Sequence, residues 1–242
     1  MGNSIYLSVK LRDFYHSKLA NRLIPMADIA LSHLGLIDYE ECWQLQRKIH
    51  DEVVAGTTTN SLLLVEHSSV FTAGRRTDPL ERPQDGTPVI DVDRGGRITW
   101  HGPGQVVGYP IVRLLKPNEV VGFVRVLEDA IIKTLGHFGI TGISIAGKTG
   151  VWIKDSSERK IAAIGVRVAK GVTMHGFALN VDPDLNNFDR IIPCGMPEAE
   201  TTSMAKELSS KAEPLEISIE TVLPILEKEM VEALGKISKL QP

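Results

Sequence analysis

The chain is poor in cysteine and in aromatic side chains, close to charge balance, and without a long apolar run. Its two cysteines, Cys42 and Cys194, stand far apart in 242 residues. That excludes a disulfide-stapled scaffold and points to free thiols in a reducing compartment. No stretch reaches the roughly 18 apolar residues needed to cross a bilayer as a helix, so no membrane contact is expected. A net charge of -3 argues against a nucleic-acid-binding face dominating the molecule. Also missing are a dinucleotide fingerprint, a phosphate-binding loop ending in Gly-Lys-Ser/Thr, and the close Cys or His spacings of a metal site. What remains is ordinary for a globular chain, 43% hydrophobic and 24% charged. At this length folding buries roughly 70% or more of the extended-chain surface.

Residues 1–25 stand apart. Lys10, Arg12, Lys18 and Arg22 face a single acid, Asp13, the balance of a transit peptide without its abundance of serine. The expectation is an N-terminal extension without stable structure. The location expected is the cytoplasm, with the mitochondrial matrix as the alternative if the basic segment is cleaved.

From Ala27 a short apolar run reads as a strand. Asp38, with Glu41 three residues on, caps a helix whose apolar face is Cys42, Leu45, Ile49 and Val53. On that face Cys42 is a small buried hydrophobe. Ser61 to Glu66 is a buried strand, Val70 to Thr72 begins another, and His67 is a loop residue. Gly74 to Pro88 is a long exposed loop. Val89 to Val92, Arg97 to Trp100 and Gln105 to Ile111 are strands, the last two joined as a hairpin by Gly102-Pro103-Gly104. Asn118 caps a long helix carrying Val120, Val124, Leu127, Ile131, Leu135 and Phe138 on one face. Ile143 to Ala146, Val151 to Ile153, Lys160 to Val168 and Val172 to Val181 form an antiparallel meander. Pro183 to Gly195 is irregular. A tail helix from Ser218 to Ile237 turns Val222, Ile225, Met230 and Ala233 inward, with a kink or a late start at Pro224. The fold class is α+β, with mixed, largely antiparallel sheets packed against helices. It is one domain over 26–242, extended by a small C-terminal subdomain from about Thr202.

The stretch Arg94 to Pro110, RGGRITWHGPGQVVGYP, organises the rest. Glycine lacks Cβ, so Gly95-Gly96 and Gly102-Pro103-Gly104 allow close backbone approach, and this much glycine implies a contact at close range. Further on, Cys194 lies between two prolines in Ile191-Ile192-Pro193-Cys194-Gly195-Met196-Pro197. There it is a nucleophile if something lowers its pKa. Lys160 opens an otherwise apolar strand, and His101 and His175 are the histidines that accompany these motifs.

These runs, together with GKTGVWI, KIAAIGVRV, MHGFALNVDPDL and IIPCGM, resemble the lipoyl(octanoyl) transferase family, within the biotin and lipoate protein ligase group. The likeness spans Ala27 to Ser203 in order. Trp100 departs from it, since the family more often has Tyr or Phe there. The resemblance implies a biotin/lipoate protein ligase-like catalytic domain. It implies a transferase moving an octanoyl group from octanoyl-acyl carrier protein to one lysine of a lipoyl domain. The acceptors are the 2-oxoacid dehydrogenase E2 subunits and glycine cleavage H protein. The enzyme would be a monomer using no metal and no cofactor, because the donor thioester is already activated. It implies Cys194 as the acyl-carrying nucleophile and Lys160 as the group that lowers the thiol pKa or serves as acid and base. The substrate-contacting residues are Arg94, Gly95, Gly96, Arg97, Ile98, Thr99, Trp100 and His101, then Ala162, Ala163 and Ile164, then His175, Gly176 and Phe177.

The chemistry suits these residue types. A free thiol of pKa about 8.5 is only a few per cent thiolate at pH 7. An ammonium about 4 Å away at an effective dielectric near 20 is worth at most about 4 kcal/mol, more than the one or two pKa units required. For the second step Lys160 is the first candidate base, with His101 or His175 next. Gly195, Gly176 and Gly95-Gly96 are the candidate sources of oxyanion N–H groups. Arg75, Arg76, Arg94 and Arg97 are candidates for docking acidic partners. Two other functions fit less of the sequence. An ATP-dependent lipoate or biotin ligase needs no nucleophilic cysteine, and a non-catalytic carrier-protein binding module leaves Cys194 and Lys160 without a role.

Overall fold

The computed structural model describes residues 29–191, 200–209 and 216–238. The basic segment 1–25, Cys194 with its flanking prolines, and Gly195 lie outside the described residues. The fold begins with a strand–helix–strand unit. β1 (Ile29–Ile37) runs parallel to β2 (Asn60–His67), and α1 (Tyr39–Ala55) crosses between them. The Asp38 carboxylate accepts from the N–H groups of Glu40 and Glu41 at 2.9 and 3.1 Å, and Gly56 closes the helix in the left-handed region. Asp38 is therefore the expected cap, a contact worth about 1 kcal/mol.

β3 (Val70–Ala73), β4 (Val89–Asp91) and β5 (Thr99–His101) make a small separate sheet in the order β4-β3-β5. The chain then enters the main sheet as β6 (Gln105–Ile111). After α2 (Val120–His137) come β7 (Ile143–Ile145), β8 (Lys148–Lys154), β9 (Glu158–Ala169) and β10 (Val172–Asn180). The main sheet has the order β1-β2-β6-β10-β9-β8-β7, and β11 (Glu200–Thr201) pairs with the start of β9. The short α3 (Met204–Ser209) and the longer α4 (Ile219–Gly235) complete the fold.

The central strands read as continuous apolar runs because both faces of the sheet are covered. Leu62, Leu64, Val106 and Leu179 face α2, α3 and α4, while Leu63, Val65, Val107 and Ile111 face α1. A third, smaller cluster of Phe71, Ile98, Trp100, Phe188 and Ile191 sits under the small sheet.

Several local expectations change. The β5–β6 pair is not a hairpin: β5 pairs with β3, and β6 pairs with β2 and β10. The Gly-Pro-Gly turn passes the chain from one sheet to the other. Gly104, at φ 87°, packs so close to the turn after β10 that a Cβ would lie 2.3 Å from the Asp182 carbonyl oxygen. The turn's close contact is therefore with its own chain. Glu119, not Asn118, holds the cap position of α2, and no side chain caps that helix. His67 ends β2 fully buried rather than lying in a loop. In α4 the buried apolar positions are Val222, Leu226, Met230 and Leu234, a strict four-residue stripe, so Ile225 and Ala233 fall beside it. α3 and α4 share the core of the main sheet through Met204, Leu208 and Leu226, so the described residues after Thr202 form no core of their own.

Candidate active site

Between the two sheets and the first turns of α2 lies a cavity of about 520 Å³, within the usual range for small-molecule sites. Arg94 to Thr99 and His101 form one wall, Lys160, Ala163 and Ile164 of β9 another, and His175, Gly176 and Phe177 of β10 the floor. The sequence motifs, separated by up to some eighty positions, thus meet in one place. Two of the residues singled out stand back from it. Trp100 is buried under the small sheet against Phe188 and donates its indole N–H to Ser69 Oγ at 2.9 Å. Ala162, next to Ala163 on β9, points into the main core.

The glycine-rich wall is clamped by Arg94. Its guanidinium donates to the Arg97 carbonyl at 2.7 Å, the Thr72 carbonyl at 2.8 Å and Thr72 Oγ1 at 2.9 Å. Gly95 donates its N–H to the Val166 carbonyl at 3.0 Å, so that N–H is engaged and not an oxyanion donor. Arg97 is ion-paired with the buried Glu81. Of the four arginines considered for docking, Arg94 is thus an internal clamp and Arg97 is paired, while Arg75 and Arg76 are exposed.

The floor depends on small residues. The Phe177 ring lies over Gly108, where a Cβ would come within 2.2 Å of it. Ile98, Val107, Val124, Ile164, Phe177 and Ala178 supply apolar lining, and Ala163 leaves room beside them. Six cations, Arg76, Arg94, Arg97, Arg125, Lys148 and Lys160, line the cavity, and no carboxylate among the described residues does. Lys160 is buried, its ammonium 4.6 Å from the centroid of the Trp152 ring, a favourable seat for a cation. Its carbonyl accepts from Thr202 N–H at 2.9 Å. The chain on either side of 192–199 is fixed to the site: Ile191 packs in the cluster with Ile98 and Trp100, and Glu200 and Thr201 pair with Arg159 and Lys160.

Beneath the cavity is a polar network of which sequence reasoning singled out only His101 and His175. His67 Nδ1 lies 2.9 Å from the Ile37 carbonyl and Nε2 lies 2.7 Å from Tyr109 Oη. The carbonyl can only accept, so Nδ1 carries the proton and Tyr109 donates to Nε2. His101 Nδ1 approaches Gln105 Oε1 at 3.3 Å, and its ring stacks on Tyr39 at 6.0 Å. Burial is the main cause that pushes the pKa of His67 below the ordinary histidine value and that of His101 well below it. Burial also raises the Tyr109 phenol far above its usual range. His175 is paired with Asp93, and Asp93 is also paired with Arg167. The hydrogen bond from His175, larger than any other effect, holds the Asp93 carboxyl down at about 2. Tyr39, Asp93 and Tyr109 carried no motif of their own; only the glycine-rich neighbourhood of Asp93 and Tyr109 hinted at them.

Cys42 is fully buried, and burial raises its thiol pKa to about 12, so it is inert as a nucleophile at neutral pH. Among the described residues no group of three His, Cys, Asp or Glu side chains could hold a metal ion. No described helix is long and apolar enough to cross a membrane.

Residues 38–231 match the lipoyl protein ligase A/B catalytic domain family. An octanoyltransferase of Salinispora arenicola is 48% identical over 86% of this chain and 97% of its own. One of Clavibacter sepedonicus is 50% identical over 89% and 94%. Among solved structures, P. falciparum LipL1 in complex with lipoate superposes with a TM-score of 0.64 at 13% identity, covering 86% of this chain and 63% of that one. A bipartite lipoate protein ligase from Thermoplasma acidophilum gives 0.62 at 14%, covering 86% and 84%. The two proteins share the fold with this chain. Matched along almost the whole length of curated octanoyltransferases at about half identity, the chain belongs to the octanoyltransferase family, in the lipoyl protein ligase A/B catalytic-domain group.

Proposed function

We propose that this protein transfers an octanoyl group from octanoyl-acyl carrier protein to a lysine of a lipoyl domain, through an octanoyl thioester on Cys194. The observation that carries this reading is a cavity in which a buried lysine, Lys160, stands beside an apolar slot and a glycine-rich wall. The half-identical octanoyltransferases support the acyl group and the reaction class. The segment bearing Cys194 joins Ile191, which clusters with Ile98, to Glu200 and Thr201, of which Thr201 pairs with Lys160, and this supports the reading.

In the first step the Cys194 thiolate attacks the donor carbonyl, the carrier's C–S bond breaks, and the carrier's sulfur leaves as a thiolate that takes a proton from solvent. Lys160, as ammonium, keeps the sulfur ionised. The acyl tail enters the slot between Ile98, Val107, Ile164 and Phe177, where burial is worth at most about 0.8 kcal/mol per CH₂. In the second step the lysine amine of the lipoyl domain takes the acyl group. The acceptors are the lipoyl domains of 2-oxoacid dehydrogenase E2 subunits and the glycine cleavage H protein, and the enzyme works as a monomer in the cytoplasm.

Intact-mass measurement after incubation with octanoyl-carrier tests the reading. The wild type is expected to gain one octanoyl group, Cys194→Ser to gain none, and Lys160→Ala to gain it at least about tenfold more slowly. No adduct on the wild type, or an adduct retained by Cys194→Ser, overturns it. Release of pyrophosphate with ATP and free octanoate would favour a ligase instead.

A further inference from the structure

Two arginines lining the cavity share the same backing. Arg97 pairs through Nη1 with Glu81 Oε1, and the other oxygen of Glu81 accepts the Asp78 N–H at 3.0 Å. Arg125, on α2, pairs through Nη1 with Glu128 Oε2, and the other oxygen of Glu128 accepts the Gly150 N–H at 3.0 Å. Both carboxylates are buried, Glu128 completely, while the arginine side chains stay 41% and 42% exposed. Each carboxylate thus has one oxygen tied to backbone and the other to a guanidinium. Each guanidinium is held through one nitrogen, with its other N–H groups uncommitted among the described residues. Burying a carboxylate costs several kcal/mol in desolvation, so such a pair is a poor device for stability alone. The neighbouring buried positions of α2, Leu127 and Ile131, show what plain packing uses there. The pattern arises twice, from the turn Pro79–Glu81 and from a helix, and both arginines line the same cavity.

We propose that Arg97 and Arg125 form a subsite for a phosphodiester, the one that joins the thiol arm of the acyl donor to its carrier protein. This rests on the octanoyl-carrier donor proposed above. A guanidinium offers a fixed fork of N–H donors that matches phosphate oxygens, and one already held in place loses little side-chain freedom on binding. The surroundings favour an anion. Arg76 and Lys148, the latter paired with Glu158, also line the cavity, and no carboxylate among the described lining residues opposes them. Acidic side chains on the face of a folded partner meet Arg75 and Arg76, which are exposed. Arg97 and Arg125, lining a cavity beside the apolar slot, suit a slender arm that threads toward it. Coenzyme A thioesters carry a phosphate at the same place on the arm. The chemistry recognised is therefore a pantetheine 4′-phosphate, and the carrier is the source that matches the donor.

Arg97 stands on the glycine-rich wall and Arg125 on α2, so the two reach the cavity from different elements. Glu81 and Glu128 are positioning residues. Their own charge repels a phosphate, and they act by fixing the guanidiniums. The phosphodiester is recognised and not cleaved. Its binding energy serves to hold the thioester arm in the cavity, and it discriminates donors whose arm carries the phosphate from donors that lack it.

The test is equilibrium binding, by calorimetry on the full chain, of three thioethers that carry the chain and the arm but no transferable acyl group. They are S-octylpantetheine, S-octyl-4′-phosphopantetheine and S-octyl-coenzyme A. In the wild type the 4′-phosphate is expected to tighten binding at least about tenfold, the scale of hydrogen bonds to a charged group. The arginine change alone would leave a buried carboxylate unpaired. The variants are therefore Arg97→Met with Glu81→Gln, and Arg125→Met with Glu128→Gln, whose amide oxygens still accept from the backbone. Each should reduce the phosphate's gain to about threefold or less while binding S-octylpantetheine within about twofold of wild type, which a merely structural role for the pairs does not predict. S-octyl-coenzyme A should bind no tighter than the phosphopantetheine probe. A gain from the phosphate under threefold in the wild type, or a gain kept by both variants, overturns the subsite. Equal losses for probes with and without the phosphate overturn it too. A further tenfold gain with the coenzyme A probe overturns the carrier as the source. Failure of all three probes to bind the wild type would overturn the octanoyl-donor reading as well, whereas tight binding that ignores the phosphate leaves that reading standing and removes the subsite alone.

Discussion

At the scale of single residues, the cavity owes its shape to what its small side chains leave open. Ala163 lines the cavity from β9 beside Ile164, and Phe177 reaches its place because Gly108 has no Cβ beneath the ring. Enlarging Ala163 therefore removes length from the slot without touching a polar group. Ala163→Leu should lower the ratio of octanoyl to butyryl transfer at least about tenfold, since each methylene lost to a pocket is worth about 1–3 kcal/mol. Competition between the two carrier thioesters measures this, and an unchanged ratio would place the acyl tail elsewhere. The pairing of His67 with Tyr109 belongs to the same scale. No local pattern distinguishes a histidine at a strand end in water from one sealed under a cavity, because the sealing partners come from Ile37 and Tyr109, thirty and forty-two positions away.

At the scale of elements, the decisive piece is the connection between β5 and β6. Its Gly-Pro-Gly sequence is compatible with a hairpin, and the alternation on either side is that of two strands. The pairing is decided by neighbours the turn cannot specify: β3 takes β5, and β2 and β10 take β6. Gly104 is what makes the change of sheet possible. Its N–H donates to Glu66 Oε2 at 2.9 Å, and its carbonyl accepts from Val181 and Asp182. Gly104→Ala meets both the positive φ and the Asp182 carbonyl, so it should destabilise the fold by about 2 kcal/mol or more. Urea unfolding measures this, and a loss under about 0.5 kcal/mol would contradict the packing described. The helices were easier to read. Asp38 and the Cys42–Ile49–Val53 face are local features, whereas the one-position shift in α4 to Leu226 and Leu234 reflects where α2 and the sheet lie.

At the scale of the whole molecule, burying three histidines around one cavity couples the fold to pH. His67, His101 and His175 all have pKa values lowered by burial, and Asp93 is held at about 2. In the unfolded chain the histidines take up protons below about 6.5, while the folded ones do so only at lower pH. The unfolded state therefore binds more protons, and stability falls as pH falls. Asp93 adds to the same trend at more acid pH, where its stabilisation is lost between the unfolded carboxylate value near 3.9 and 2. The urea midpoint should fall between pH 7.5 and 5.5. The ceiling is about 1.4 kcal/mol per histidine for each pH unit below 6.5. A midpoint that is flat or rises over that range would mean the rings are not buried as neutral groups.

Read alone, the sequence determined the fold class, most strand and helix positions, the inert burial of Cys42 and the set of motifs around the cavity. Periodicity, caps and glycine-rich runs are local and leave their marks in neighbouring residues. The tertiary structure decided that Trp100 faces a small core rather than the cavity and that Arg94 is a clamp. It also decided that β5 and β6 belong to different sheets, and that Asp93 stands behind His175, eighty-two positions away. Each of these is a contact between distant segments. Its energy depends on which faces the packed sheets turn toward one another, and no stretch of chain carries that information by itself.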